Sequence, residues 1–314
     1  GGHLAEHFLE SGHDVVTLDN FDPYYSTQLK RHNVDQCHAA AADSGGEFEL
    51  VEGDLRDEKL VESLVGDVDA IYHHAAQAGV RTSIERPDKA HDVNVNGTLT
   101  LLDAARDASV ERIVVASSSS VYGEIEYLPF DEVHPTRPTS PYGVSKLAAE
   151  QYARVYSRVY DMDAVALRYF TVYGPRMRPN MAISNFVSRC TNGEPPVIYG
   201  DGKQSRDFTY IDDIVRVNDR LLESDVSGEV LNVGSGGNIT IRALAETIRD
   251  QIDPGLGIEY ADPHAGDARH THADISKAAD VLDYEPTLDI EAGVSRFVDW
   301  YREERDWYEP LIYE

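Results

Sequence analysis

Tyr142 and Lys146 stand four residues apart in Ser140-Pro141-Tyr142-Gly143-Val144-Ser145-Lys146. On a helix that spacing places both side chains on one face, where their head groups can meet. A phenol with a pKa of about 10 is a poor base at neutral pH, and a nearby ammonium favours its phenolate. The pair is therefore a candidate for general acid–base catalysis. Four serines, Ser117 to Ser120, follow the apolar run Arg112-Ile-Val-Val-Ala116. If that run is a strand, the serines sit at its carboxyl end, where open α/β sheets bind ligands. A hydroxyl opposite Tyr142 could bridge the phenol and a substrate oxygen.

Other reactive residue types form weaker patterns. His264, His270 and His272 match no common metal-ligand spacing, so no metal site is expected. His73-His74 ends a strand pattern and reads as structural. Cys190 lies on an apolar helix face and reads as a core residue, not a nucleophile.

The elements that must hold these groups alternate over the first two-thirds of the chain, the pattern of a parallel sheet flanked by helices. Leu4, Phe8 and Leu9 mark a helix closed by Gly12, and Asp14–Asp19 reads as a buried strand ending on an acid. Strands follow at Phe48–Glu52, Ala70–His74, Arg112–Ala116 and Ala164–Arg168. Helices are expected near 58–64, 91–108 and 141–160. After about residue 175, prolines and glycines crowd the chain and strands shorten; helical patterns return at 212–223, 241–251 and 290–303. The expected fold is a doubly wound parallel α/β sheet over 1–175 with a smaller α/β domain over 176–314, of which about 210–235 returns to the first. The start, Gly1-Gly2-His3-Leu4, enters a helix pattern without a Met, so a first strand is expected to be missing.

Charge narrows the function classes. Asp and Glu number 56 against 28 Lys and Arg, for a formal net charge of −28. Such a surface repels polyanions, which argues against nucleic-acid binding. No window approaches the roughly 18 apolar residues of a membrane span, and no secretory leader is present, so no membrane partner is expected. Two cysteines cannot build a disulfide framework, which points to the cytoplasm. Lysine is scarce beside arginine and the acids are evenly spread. That distribution predicts a whole surface adapted to high salt.

Ser118, Tyr142 and Lys146, in this order and placement, resemble the triad of the extended short-chain dehydrogenase/reductase superfamily, in particular its nucleotide-sugar epimerases and dehydratases. The resemblance covers essentially the whole chain. It implies an NAD cofactor and, by position, the residues that hold it. Gly1 matches the last glycine of the dinucleotide fingerprint. Asp19 and Asn20 match its ribose-binding acid, where a carboxylate repels a 2′-phosphate and favours NAD over NADP. Asp54 and Leu55 resemble the adenine contact, and Ala75, Ala76 and Gln77 the loop along pyrophosphate and ribose. Asn94 opens the structural Asn turn, and Ser117 and Tyr169 complete the cofactor set.

The same resemblance implies roles for the reacting groups: Tyr142 as acid–base, Lys146 lowering its pKa and holding the nicotinamide ribose, and Ser118 on the reacting oxygen. Related sugar 4,6-dehydratases carry an Asp-Glu pair where this chain has Ser119 and Ser120, and the decarboxylases keep a Glu at Ser120. Hydroxyls cannot replace those carboxylates near neutral pH. What remains is oxidation at C4, rotation of the keto sugar and reduction on its other face: 4-epimerisation of a UDP-hexose. Arg206 and Arg269 match the arginines on the diphosphate, where planar guanidinium forks pair with phosphate oxygens. Asn180, Val197 and Tyr199 would flank uracil and ribose, and Thr171 the hexose. Thr171 and the serines resemble UDP-glucuronate 4-epimerases; UDP-glucose/UDP-galactose is the more generic expectation. A sugar reductase and a non-catalytic Rossmann-type regulator are the other readings. A homodimer through helices 91–108 and 141–160 is implied as well.

Overall fold

The structure is a computed structural model, and it describes residues 1–263 and 269–313. Its centre is β4 (Arg112–Ser118), every residue of which is buried. Parallel neighbours cover both of its edges: β3 (Ala70–His73) and β5 (Asp163–Tyr169). A continuous Ile-Val-Val-Ala run suits a strand covered on both faces, as parallel sheets are. The strand Val230–Val233 pairs in parallel with the outer edge of β5, so chain from beyond residue 175 does extend this sheet.

Helices layer the two faces. On one side Pro141–Tyr160 and Gly97–Ala108 pack Leu101, Leu102, Ala153 and Tyr156 against Ile113 and Val115. On the other, Ile211–Leu222 sets Ile214, Val217 and Leu221 against Val114, Val165 and Leu167. Truncating a fully buried side chain such as Leu167 to Ala would cost about 2–5 kcal/mol. A second core joins Ala182–Thr191, Ile241–Ile252 and Ile290–Glu303 through Ile183, Leu244, Ile248, Val294 and Phe297.

Three elements differ from the sequence reading. The strand β1 (Val15–Asp19) is only partly buried, with Val16 43% exposed, because its one strand partner among the described residues is β2 (Phe48–Glu52). The expected helix 91–108 is composite: Pro87–His91, a π-helical turn Asp92–Asn96, then Gly97–Ala108. Such π turns collect at functional sites. The long helix Thr27–Ser44 lacks a readable apolar period, since Leu29, Cys37, Ala40 and Ala41 are all that it buries. Its ends are nonetheless set by Ser26, which caps the Gln28 N–H, and by Gly45 at φ +82.

Candidate active site

The carboxyl ends of β3, β4 and β5 lie on one rim of the central sheet, where β4 ends on Ser118 and the chain beyond β3 carries Ala75, Ala76 and Gln77, while Asp19 ends β1, which pairs with β2. The helix Pro141–Tyr160 arrives at that rim with its first turn fixed. Ser140 caps the Gly143 N–H at 3.1 Å, and Pro141 occupies a first-turn position that needs no N–H. Gly143 is required for contact: a Cβ there would lie 2.5 Å from the carbonyl oxygen of Ser120. The helix start and the serine loop can close on each other only because that side chain is absent.

This closeness assembles the triad. The Ser118 side chain lies close enough to the phenol of Tyr142 to pull its pKa down. Ser118 also accepts the Ser120 N–H at 3.1 Å, which turns the chain into the short helix Ser119–Val121. Buried Lys146 donates its Nζ to the carbonyl of Ala116 at 2.8 Å, and burial lowers its pKa to about 8. The structure corrects one expected role here. Burial raises the Tyr142 pKa, and the groups that pull it down are Ser118 and the Arg178 guanidinium, because the Lys146 ammonium is directed at Ala116. Arg178 lies 5.4 Å from the centre of the Tyr24 ring, and Tyr24 itself is close enough to act on Tyr142. Neither was singled out from the sequence, because loops with no shared period bring them together.

The expected cofactor residues fall into three groups. Asp19 accepts the Phe21 N–H at 2.7 Å, with Lys30 Nζ 3.7 Å away. Asn20 donates to Asp54 at 3.0 Å, and Arg56 grips both Asp54 oxygens, which holds that carboxyl far below the usual range. Leu55 packs against Gly97. Beyond β3, Ala75 and Ala76 lead to buried Gln77, whose N–H donates to Asn94 Oδ1 at 2.7 Å. Asn94 Nδ2 returns bonds to the Gln77 carbonyl and to Ser145 Oγ, at 3.1 and 2.9 Å. The π turn thus ties the β3 loop to the catalytic helix. Gly1 caps the first helix, Gly2–Glu10.

Two members of the cofactor set are engaged elsewhere. Ser117 donates its hydroxyl to buried Glu150 at 2.7 Å, so that donor is engaged within the protein. Tyr169 lies on the opposite face of β5 from Arg168, its hydroxyl held by Asn218 at 2.8 Å and by His74 at 3.3 Å. Here the fit to the cofactor rests on the remaining groups: the Asp19 carboxylate that ends β1, the 75–77 loop beyond β3, and Lys146 beside β4.

The expected substrate residues come from the second core. Ser119 and Ser120 are half-buried beside Ser118, and half-buried Thr171 donates its N–H to Asp207 O at 3.0 Å. Arg206 donates Nη1 to the carbonyls of Ser205 and Arg269, at 2.8 and 3.5 Å, so the two expected arginines do meet. Val197 and exposed Tyr199 lie on one short strand, and Asn180 is exposed. The segment Gly266-Asp267-Ala268 and His264 lie outside the described residues. Among the described residues, no cluster of His, Cys, Asp and Glu could hold a metal ion.

Comparisons with known proteins converge on this arrangement. A family model described as GDP-mannose 4,6 dehydratase matches residues 1–297. The putative UDP-glucose 4-epimerase of Methanocaldococcus jannaschii is 35% identical over 96% of this chain and 95% of its own. The UDP-glucuronate 4-epimerase of Thermodesulfobacterium geofontis is 36% identical over 96% and 93%. The crystal structure of UDP-glucuronic acid 4-epimerase from Bacillus cereus, in complex with UDP-glucuronic acid and NAD, superposes with a TM-score of 0.89 at 33% identity over 96% of both chains. With the triad assembled at the rim of a parallel sheet and matches along its whole length, the chain belongs to the NAD-dependent epimerase/dehydratase family of extended short-chain dehydrogenases/reductases.

Proposed function

We propose that this chain catalyses NAD-dependent 4-epimerisation of a UDP-hexose of the UDP-glucose/UDP-galactose type. The observation that carries this reading is the placement of Ser118 beside the Tyr142 phenol at the end of β4, with hydroxyls rather than carboxylates next to it at Ser119 and Ser120. A dehydratase needs carboxylates there to move protons at neighbouring carbons; this site offers one proton-moving group, the phenol. UDP-glucuronate is the second candidate, supported by the Thermodesulfobacterium and Bacillus relatives. Ser119, Ser120 and Thr171 can donate to a carboxylate as readily as to a hydroxymethyl group.

In this reading residues 1–175 bind NAD and most of 176–314 bind the nucleotide sugar, with about 210–235 returning to the sheet, as the Val230–Val233 pairing supports. Asp19, Asn20, Asp54 and Leu55 hold the adenosine end, Gly1 and the 75–77 loop the pyrophosphate, and Lys146 the nicotinamide ribose. Bound there, NAD supplies a hydride acceptor and donor. Tyr142 takes the proton of the sugar 4-hydroxyl and later returns it. Ser118 hydrogen-bonds the same oxygen and holds it against the phenol. Arg206 and Arg269 anchor the diphosphate while the sugar presents either face, with Asn180, Val197 and Tyr199 around the uridine.

A homodimer is part of the proposal. Val144, Val155 and Val159 are 53%, 49% and 63% exposed and follow one stripe of the helix Pro141–Tyr160, with Tyr152 beside them. No helix among the described residues is long and apolar enough to cross a membrane, and both cysteines are buried thiols, which supports the cytoplasm.

The test is to offer UDP-glucose, UDP-glucuronate and UDP-N-acetylglucosamine separately and to quantify each C4 epimer. UDP-galactose from the first is the expected product, and only the second reacting would move the assignment to glucuronate. Turnover that survives Tyr142→Phe would refute the mechanism.

A further inference from the structure

Glu150 lies four residues beyond Lys146, on the face of the helix that already carries Tyr142 and Lys146. It is fully buried. Two groups meet its carboxylate. Arg168, 3% exposed, donates Nε to Oε2 at 2.9 Å and Nη2 to Oε1 at 2.7 Å. Ser117 donates its hydroxyl to Oε2 at 2.7 Å. Arg168 and Ser117 are register partners on β5 and β4, so Glu150 sits over this strand pair just before the catalytic serine.

Three consecutive residues of β4 are therefore tied to one helix face. Ala116 accepts from Lys146, Ser117 donates to Glu150, and Ser118 lies beside the Tyr142 phenol. The far end of the serine loop is tied to the same ion pair. Arg168 Nη1 donates to the Tyr122 hydroxyl at 3.0 Å, and Tyr122 donates to Asn232 at 2.6 Å. Ser118, Ser119 and Ser120 thus hang between two anchors, Ser117 and Tyr122, both fastened to Glu150–Arg168.

Stability alone is a weak reason for this construction, because a well-packed apolar pair commonly serves as well as a buried ion pair. Resting on the epimerase reading, we propose that Glu150, locked by Arg168, is a positioning residue that staples both ends of the Ser117–Tyr122 loop and so sets Ser118 against Tyr142. It touches neither sugar nor cofactor. It acts through Ser117 and Tyr122.

Ser117→Ala and Tyr122→Phe each cut one anchor and leave the ion pair intact, and the double variant cuts both. Glu150→Gln leaves Arg168 charged without its counter-ion, so its misfolding would leave the decision to the anchor variants. The kcat and KM of epimerisation are the first readout. The second, independent of the sugar, is the tyrosinate midpoint of Tyr142, taken as the ultraviolet difference between each protein and its Tyr142→Phe counterpart. The ionisable groups acting on Tyr142 are Tyr24, from the loop after β1, and Arg178, while Lys146 on its own helix is directed at Ala116; those facing Glu150 are Arg168 and, through it, Tyr122. None of these charges changes in the Ser117→Ala protein. The double variant is expected to lose about 10- to 100-fold in kcat with KM within about twofold, and its Tyr142 midpoint to rise as Ser118 loosens from the phenol. A kcat within about twofold of the parent overturns the proposal, whatever happens to the melting temperature. If the parent epimerises none of the sugars, the functional reading fails and the midpoint decides: a rise supports the staple, and an unmoved midpoint refutes it.

Discussion

Lys146 makes the sharpest test of the site's electrostatics. It is 5% exposed, and its one hydrogen bond shown is to a backbone carbonyl, so burial lowers its pKa from 10.5 to about 8. That fall corresponds to about 3 kcal/mol, at 1.36 kcal/mol for each pH unit. The sign follows from proton counting. Between about pH 8 and 10.5 the unfolded chain still holds a proton that the folded chain has released, so stability rises with pH across that window. Below about pH 8 both states are charged and the full penalty of the buried cation stands. Replacing the side chain in Lys146→Met removes this titration. In NAD-free protein, parent stability should therefore gain on the variant by about 3 kcal/mol between about pH 7.5 and 11, at no more than about 1.4 kcal/mol per unit. Urea unfolding of both proteins in molar KCl, over that range, measures the difference. Subtraction cancels the many buried tyrosines that titrate in both. Parallel curves, or a parent that loses ground as pH rises, would refute the reasoning. The same variant should be nearly inactive, so that a side chain costly to stability is retained for chemistry.

Three further outcomes are expected. Arg206→Ala should raise the KM for the UDP-sugar about 10- to 100-fold with kcat nearly kept, since a charged bond to a diphosphate is worth about 1.5–3 kcal/mol in ground and transition states alike; an unchanged KM places the diphosphate elsewhere. Asn94→Ala strips the partners from the Gln77 N–H and carbonyl and from Ser145, and should cost about 2–4 kcal/mol by chemical denaturation; a loss below about 0.5 kcal/mol would mean water replaces the amide. Melting temperature and activity should both climb from about 0.1 M to molar KCl as the self-repulsion of a −28 chain is screened; an optimum below physiological ionic strength would contradict salt adaptation.

What the sequence made legible was local or periodic. The alternation of apolar runs with helical faces predicted β4, β5 and Pro141–Tyr160, and i,i+4 spacing put Tyr142 and Lys146 on one face. The misreadings have a common physical source. Ser117 looked like a site residue because it adjoins Ser118, but its hydroxyl is taken by Glu150, a partner 33 residues away that local spacing does not reveal. The π turn at Asp92–Asn96 leaves no mark in a helical period, and neither do the bonds its Asn94 makes to Gln77 across the fold. Arg178 and Tyr24 meet at the phenol from segments with no pattern in common. One clue was available: Glu150 continues the 142, 146 spacing by four, and an acid on the buried face of a helix implies a partner.

The acidity of the whole and the cationic character of the cleft follow from how the arginines are used. Many are consumed by carboxylates: Arg56 by Asp54 and Asp92 and Arg189 by Glu194 and Glu259 nearer the surface, and Arg112 by Asp163 and Arg176 by Glu6 deeper in. Around the site the pattern changes. Arg178 rests on the Tyr24 ring and the Met181 thioether, and Lys146 donates to a backbone carbonyl. A guanidinium on a ring or a carbonyl keeps its net positive charge, whereas one on a carboxylate does not. The net −28 acts over distances that salt shortens to about 3 Å at molar ionic strength, while contacts made inside a cleft are screened far less. A strongly acidic chain can therefore still hold two anions, provided that cations lie within contact range of their phosphates and that the solvent is salty enough to hide the rest.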